Sequence, residues 1–306
     1  MKSIETFFKK TIVVWLGAMI CCALWGSAFP FIKIGYRLFE ISSDATGTQI
    51  LFAGIRFTLA GILTVILGSI LSKKILLPQK SSMPPIFKLC LLQTVVQYIF
   101  FYIGLANTSG VKASIIEGLN VFIAIVIASL IFHQEKLTSK KVVGSLIGFL
   151  GVVLVNLNGS SVEAGFKILG EGAIILSTVS YAFSSVLLKS YSKKENPVVL
   201  SGYQFVAGGI IMTIIGLIMG GKFKTVSMQG VGVLIYLALV SAVAYSLWGI
   251  LLKYNSVSRV AVFGFMNPVF GVILSALLLG EANTLGFTCV VSLVLVSLGI
   301  FVVNRE

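Results

Sequence analysis

Two ionisable side chains, Arg56 and Glu117, stand inside long apolar runs of this chain. A charge at the middle of a bilayer is costly unless it is paired or hydrated, so each needs a reason to be there. For Arg56 one reason is chemical: an anchor for a substrate carboxylate, or a partner for an intramembrane acid. The other is structural: snorkelling, or bonding to backbone carbonyls of a neighbouring segment. Glu117 lies about two turns into its run, where a carboxyl can carry a proton or bind a cation. Its structural reading is a pair with Lys112 or Arg56, or a place in a wet vestibule. Asn120, Asn267 and Pro268 also fall mid-run. Proline removes a backbone donor and frees a carbonyl, and an asparagine can bond substrate or backbone. Helices broken near the midplane often mark a binding site. Pro30 is the kink expected in the first run.

Around these stand aromatic residues remote from most run ends: Trp25, Phe29, Tyr98, Tyr102, Tyr181, Tyr245 and Trp248. The spacings Tyr98/Tyr102 and Tyr245/Trp248 put each pair on one helix face. Buried Tyr and Trp need partners for their polar tips, so an aromatic-lined, partly polar cavity for a small organic solute is one reading. Packing of a helix bundle is the other. Gln97 is an amide whose burial demands a bond, and Gln204 occupies the position in the second half that corresponds to Arg56. The sequence holds no nucleophile–base set, no carboxylate near Glu117, and only one histidine, His133, so neither a metal site nor an enzyme is expected. No cofactor is expected. Cys21, Cys22, Cys90 and Cys289 sit in apolar runs without metal-ligand spacing and read as small core residues. No glycine cluster follows a strand, so Gly144, Gly148 and Gly151 read as helix contacts rather than a phosphate loop.

These residues need elements to position them. The 306 residues are 57% hydrophobic and 11% charged, with a mean hydropathy of +1.05. A water-soluble fold cannot hide that much apolar surface. A spanning helix takes about 20 apolar residues, giving room for about ten. The breaks place them at 11–36, 48–72, 84–106, 110–132, 138–157, 167–190, 197–220, 229–253, 258–280 and 284–303. The apolar run near the start is too long for a signal peptide and reads as the first span. The formal net charge of +13 lies mostly in short loops. Lys9, Lys10, Lys73, Lys74, Lys140, Lys141, Lys193 and Lys194 share one side, whereas Lys33, Arg37, Lys222 and Lys224 fall on the other. That bias places both termini in the cytoplasm and argues against nucleic acid as a partner.

The chain also repeats itself. Tyr98 to Asn156 resembles Tyr245 to Asn304, with Thr108-Ser109 matching Asn255-Ser256, Lys112 matching Arg259, and Asn120 matching Asn267. Trp25 to Lys33 lines up with Tyr181 to Lys189, and Arg56-Phe57 with Gln204-Phe205. Five spans per half are an odd number, so the second copy must cross in the opposite direction. The expected fold is an all-α polytopic membrane protein: one membrane domain over 1–306, with ten transmembrane helices in two inverted repeats at 11–157 and 167–304. Glu135 and Glu281 are expected to cap the starts of the fifth and tenth helices.

The order of these features resembles the drug/metabolite transporter superfamily, EamA type. The matching residues are Trp25-Gly-Ser-Ala-Phe-Pro-Phe-Ile-Lys33, Arg56-Phe57, the short Asn-Thr-Ser and Asn-Ser turns before the fourth and ninth helices, Asn267-Pro268, and Glu135 with Glu281. The family often has proline at both mid-helix positions. Here Val121 stands opposite Pro268, so a bend in the fourth helix is not carried over. The resemblance implies export of amino acids, related metabolites or drug-like compounds across a cell membrane by alternating access. The central cavity would lie between helices one to four and six to nine. Facilitated diffusion and proton coupling stay open, with Glu117 the coupling candidate. A nucleotide-sugar or other organic-anion carrier of the same superfamily is the alternative, and a non-transporting membrane receptor or assembly protein a remote one. Oligomeric state is not legible.

Overall fold

The computed structural model describes residues 2–108, 110–157, 166–279 and 287–305, and these form helices and turns without a strand. Nine helices among them are long and apolar enough to cross a membrane. They are α1 (Thr11–Leu38), α2 (Thr46–Leu71), α3 (Lys80–Asn107), α5 (Ser139–Leu157), α6 (Ile168–Ser192), α7 (Pro197–Ile218), α8 (Met228–Tyr254), α9 (Val257–Leu278) and α10 (Phe287–Asn304). The fourth expected span, α4, covers 110–131 and is broken; its apolar stretch is Ile115–Ile131. A short leading helix, Lys2–Lys9, precedes α1. In lipid, backbone groups must be satisfied within the chain, which is why apolar runs of this length become helices. Local signals fix their starts. Asn196 accepts from the Val198 N–H at 2.9 Å with Pro197 at the first helical position of α7. Ser227 caps α8 by accepting from Gly230 N–H at 3.0 Å, and Ser256 caps α9 by accepting from Arg259 N–H. Leu16, Ile66, Ile214 and Val290 are exposed on the outer faces, as lipid-facing side chains should be.

Close helix approaches reveal how the halves relate. A Cβ added at Gly54 would lie 2.4 Å from the Thr213 backbone nitrogen, and one at Gly209 would lie 2.3 Å from that of Thr58. As the residue number rises along α2 it falls along α7, so these helices run antiparallel. The same holds for α5 and α10: Gly144 meets Val303, and Gly151 meets Val296. Both pairs are repeat mates, and mates that pack antiparallel are what an inverted duplication requires. The remaining packing follows the same exchange. Helix α1 packs on α8 and α9 of the other half, and α6 packs on α3 and α4.

Both α4 and α9 are broken at matching depth. Helix α4 stops at Gly118, turns through Leu119, and resumes at Asn120; the Leu119 N–H donates to Ile116 O at 3.0 Å, a tightened turn. Helix α9 passes through a tight 3₁₀ stretch at Val262–Phe265 before resuming at Met266. The break in α4 therefore exists without a proline. Pro268 follows the 3₁₀ stretch of α9 within one turn, and the carbonyl it leaves without an intrahelical donor is that of Gly264, inside that stretch. Pro30 lies inside the unbroken α1. The carbonyl one turn earlier belongs to Gly26, where α9 passes so close that a Cβ would lie 2.4 Å from Phe270 Cβ.

Candidate functional site

The two broken helices open onto a cavity of ≈ 160 Å³. Its wall takes Trp25 and Phe29 from α1, Arg56 from α2, Gln97, Tyr98 and Tyr102 from α3, Glu117 and Asn120 from α4, Tyr181 from α6, Tyr245 from α8, and Asn267 and Pro268 from α9. Most residues singled out by type and position are thus brought to one place. Tyr98 and Tyr245 are repeat mates, and their hydroxyls meet at 3.1 Å. Mates that touch each other lie on the pseudo-two-fold axis, so the axis runs through this site.

The polar lining is unusually short of partners. Arg56 is 5% exposed, and one nitrogen, Nη2, donates to Ser241 Oγ at 3.3 Å. The guanidinium lies 4.5 Å from the Phe57 ring centre and 6.0 Å from that of Tyr98, a cation–π setting. Among the described residues no carboxylate pairs with it, and its Nε is buried without a hydrogen-bond partner. Trp25 Nε1, Gln97 Oε1, Asn120 Oδ1 and Asn267 Oδ1 are likewise buried without partners. Each such group costs about 1–3 kcal/mol when nothing satisfies it. Their convergence on one cavity is what a solute-binding wall looks like. Glu117 is half-buried in the same wall.

Two expected lining residues stand elsewhere. Gln204 is fully buried in the α3–α7 contact: Thr94 Oγ1 donates to its Oε1 at 2.7 Å, and its Nε2 donates to Gln93 Oε1 at 3.2 Å. No side chain of α7 lines the cavity, because α7 at this depth packs flat on α2 and α3. Trp248 sits behind the wall, with its ring 5.0 Å from Trp25. The lining also includes Phe101, Ser177 and Thr178, which the sequence did not mark out. Ser177 is one helical turn from Tyr181, a same-face spacing that was available as a signal.

The cavity is displaced along the membrane normal. Its α3 residues come late in a helix that starts on the termini-bearing side, and its α6 residues come early in one that ends there. On that side the structure is closed. Cys22 Sγ donates to Phe263 O at 3.1 Å and Cys21 Sγ to Ala244 O at 3.4 Å; Val14, Leu251, Leu252 and Val257 are fully buried around them. The cysteines are core residues, as expected. Below lies a polar layer. Lys189 at the end of α6 donates to the carbonyls of Leu252, at 3.1 Å, and Asn255, which end α8. Gln134 Nε2 donates to Ser190 Oγ at 2.6 Å.

Glu135 accepts from the Ser258 N–H at 3.1 Å and its Oγ at 2.9 Å, with Lys141 Nζ at 3.5 Å. Glu135 was expected to cap α5. It caps α9 instead, because the chain turns sharply at His133, whose φ is +50°, and carries the carboxylate over the free N–H groups at the start of α9. Glu281 lies outside the described residues. On the opposite face, Glu171 accepts from Thr108 Oγ1 at 2.6 Å and from Lys167 N–H at 2.7 Å. Thr108 is the mate of Asn255, whose Nδ2 donates to Phe8 O at 3.0 Å. Each repeat therefore ties its third-to-fourth helix turn to the approach of the other repeat's first helix.

The EamA-like transporter family matches the chain twice, at residues 12–157 and 168–305. An uncharacterized transporter of Archaeoglobus fulgidus is 30% identical over 300 residues, covering 95% of this chain and 99% of the relative. The uncharacterized transporter YdfC of Bacillus subtilis is 25% identical over 279 residues, covering 90% of this chain and 87% of its own. A solved crystal structure superposes with a TM-score of 0.76 at 17% identity, over 95% of this chain and 96% of that one, which shows a shared fold. Matched across both halves, the chain belongs to the EamA-like transporter family and is a membrane transporter.

Proposed function

We propose that the chain exports a small polar organic metabolite, an amino acid or a related compound, from the cytoplasm across the cell membrane by alternating access. The observation that carries this reading is Arg56: a buried guanidinium without an acidic partner in a cavity whose other orphans are amide oxygens and an indole N–H. A solute with a carboxylate at one end and hydrogen-bond donors at the other satisfies both sets. The cavity size suits this. At about 30 Å³ per water in the liquid, ≈ 160 Å³ corresponds to about five waters, the bulk of a small amino acid. The aromatic wall would take an apolar side chain, which keeps drug-like compounds within the class. A nucleotide-sugar carrier would need several cations for its phosphates, and Arg56 is the one cation in the described lining.

The excess of Lys and Arg on the termini-bearing side supports cytoplasmic termini. The cavity then faces outward in this state, and export would follow from a second state open on the other side. Glu117 is the coupling candidate. Either it exchanges a proton for solute, or transport is facilitated and Glu117 only hydrogen-bonds. Proteoliposomes loaded with amino acids, organic acids or nucleotide sugars test the reading by counterflow. Saturable flux of a carboxylate solute supports it. Nucleotide-sugar flux alone would move the chain to the alternative class, and the absence of flux for every solute to a non-transporting role.

A further inference from the structure

The leading helix has an apolar face that no described part of the chain covers. Ile4 is 55% exposed and Phe7 51% exposed, whereas Phe8, on the same side, stacks on Tyr254 with ring centres 5.7 Å apart. The helix ends at Lys9, and Lys10 turns the chain in extended conformation into α1. This helix therefore joins the protein beside the α8–α9 turn, on the termini-bearing side. The surroundings are basic. Lys9 and Lys10 are exposed, Lys253 lies 5.9 Å from the Tyr254 ring centre, and Arg259 Nη2 donates to Thr11 Oγ1 at 3.0 Å. The acidic residue on the helix, Glu5, is held by Lys9 at 2.6 Å. Exposed apolar side chains beside a rim of cations are the pattern of a segment that lies in the plane of an anionic bilayer surface.

We propose that the leading helix and its basic rim form a docking surface for anionic lipid headgroups, and that lipid seated there holds the closed floor of the transporter shut. The physical link is short. The carbonyl of Phe8 accepts from Asn255 Nδ2, and the carbonyl of Asn255 accepts from Lys189. Asn255 and Ser258 flank the α8–α9 turn, which Lys189 clamps from the same half and Glu135 from the other. A lipid surface that fixes Ile4, Phe7 and the rim lysines fixes Phe8 with them, and so favours the state in which that turn is clamped. This inference rests on the membrane fold and the floor, not on which solute the cavity takes.

The test uses the full chain in nanodiscs of phosphatidylcholine alone or with added phosphatidylglycerol. In the Ile4→Cys variant an environment-sensitive fluorophore is attached under mild conditions, which spare the four buried native cysteines. In the unmodified chain, the alkylation rate of buried Cys22 by a water-soluble maleimide reports opening of the floor. The expected result is a blue shift of the fluorophore and a several-fold slower alkylation when the anionic lipid is added. Both effects should be lost in Lys9→Gln/Lys10→Gln. A fluorophore that stays water-exposed in both lipids overturns the docking. A shift that follows protein density rather than lipid charge overturns it too, since it would assign the face to a second copy. An alkylation rate indifferent to lipid overturns the link to the floor. The wild-type comparison needs no variant to fold, and none of these readouts depends on finding a substrate.

Discussion

Arg56 concentrates the chemistry of the site in one residue. Among the described residues Ser241 alone accepts a hydrogen bond from it, and it lies against two aromatic rings. Charge-assisted hydrogen bonds are worth about 1.5–3 kcal/mol. Arg56→Gln should therefore raise the KM for a carboxylate solute about ten- to a hundredfold and leave that for a neutral analogue nearly unchanged. Concentration-dependent uptake of such a pair in proteoliposomes measures the difference, and equal losses for both would assign Arg56 to structure. Glu117 makes a separate prediction. If it carries the coupling proton, Glu117→Gln abolishes flux driven by a pH gradient while solute exchange at equal pH survives. Gradient-driven flux that matches wild type would remove Glu117 from the coupling role.

Among the elements, α2–α7 and α5–α10 are pairs in close backbone contact. At Gly209 a side chain would meet the Thr58 backbone at 2.3 Å, where no rotamer can yield. Gly209→Val should destabilise by at least about 1–3 kcal/mol, read as a lower melting temperature in detergent. Gly232 sits within α8 with nothing inside 4 Å of its missing Cβ. Gly232→Ala should be neutral or stabilise by up to about 1 kcal/mol. The leading helix obeys a different control. The hydrogen bond and charge of Lys9 hold the Glu5 carboxyl below the usual carboxylate range. A depressed carboxylate stabilises above its unfolded pKa, and that support is lost as pH falls through the depressed value. Isotope-edited infrared spectra of the helix should therefore show fraying only in acid, below the ordinary carboxylate range.

At the scale of the molecule, an open cavity on one side and a clamped floor on the other describe one of two states that an inverted repeat can exchange. The floor clamp can be weakened without touching the cavity. Glu135→Gln removes a carboxylate from the start of α9 and its pairing with Lys141, a loss of about 0.5–2 kcal/mol. If the clamp contributes only to the closed-floor state, that loss shifts the two-state balance by about two- to thirtyfold. Faster alkylation of Cys22 by a water-soluble maleimide would report it. An unchanged rate alongside a lower melting temperature would mean that Glu135 stabilises both states equally.

The apolar runs were enough to place nearly every span, because a bilayer leaves the backbone no alternative to the helix. The repeat, with five spans in each half, was enough to require inversion. The type and depth of Arg56, Glu117, Asn120 and Asn267 marked residues that a lipid-facing position would not tolerate. Other features needed three dimensions. Gln204 and Trp248 satisfied every one-dimensional criterion for the cavity, yet helix rotation turned Gln204 into the α3–α7 contact and put Trp248 behind Trp25. A one-residue change of helix phase moves a side chain by about 100°, and hydropathy averaged over a span cannot see it. The break in α4 falls at Leu119, where no proline announces it. Glu135 found α9 rather than α5 because a loop's nearest free N–H groups in space are not its nearest in sequence. The sequence alone marked the apolar runs that become membrane-length helices and the likeness of the two halves, since hydropathy and repeated residue order are both one-dimensional. Tertiary packing alone decided which polar groups go unpaired, and that depends on contacts between helices hundreds of residues apart.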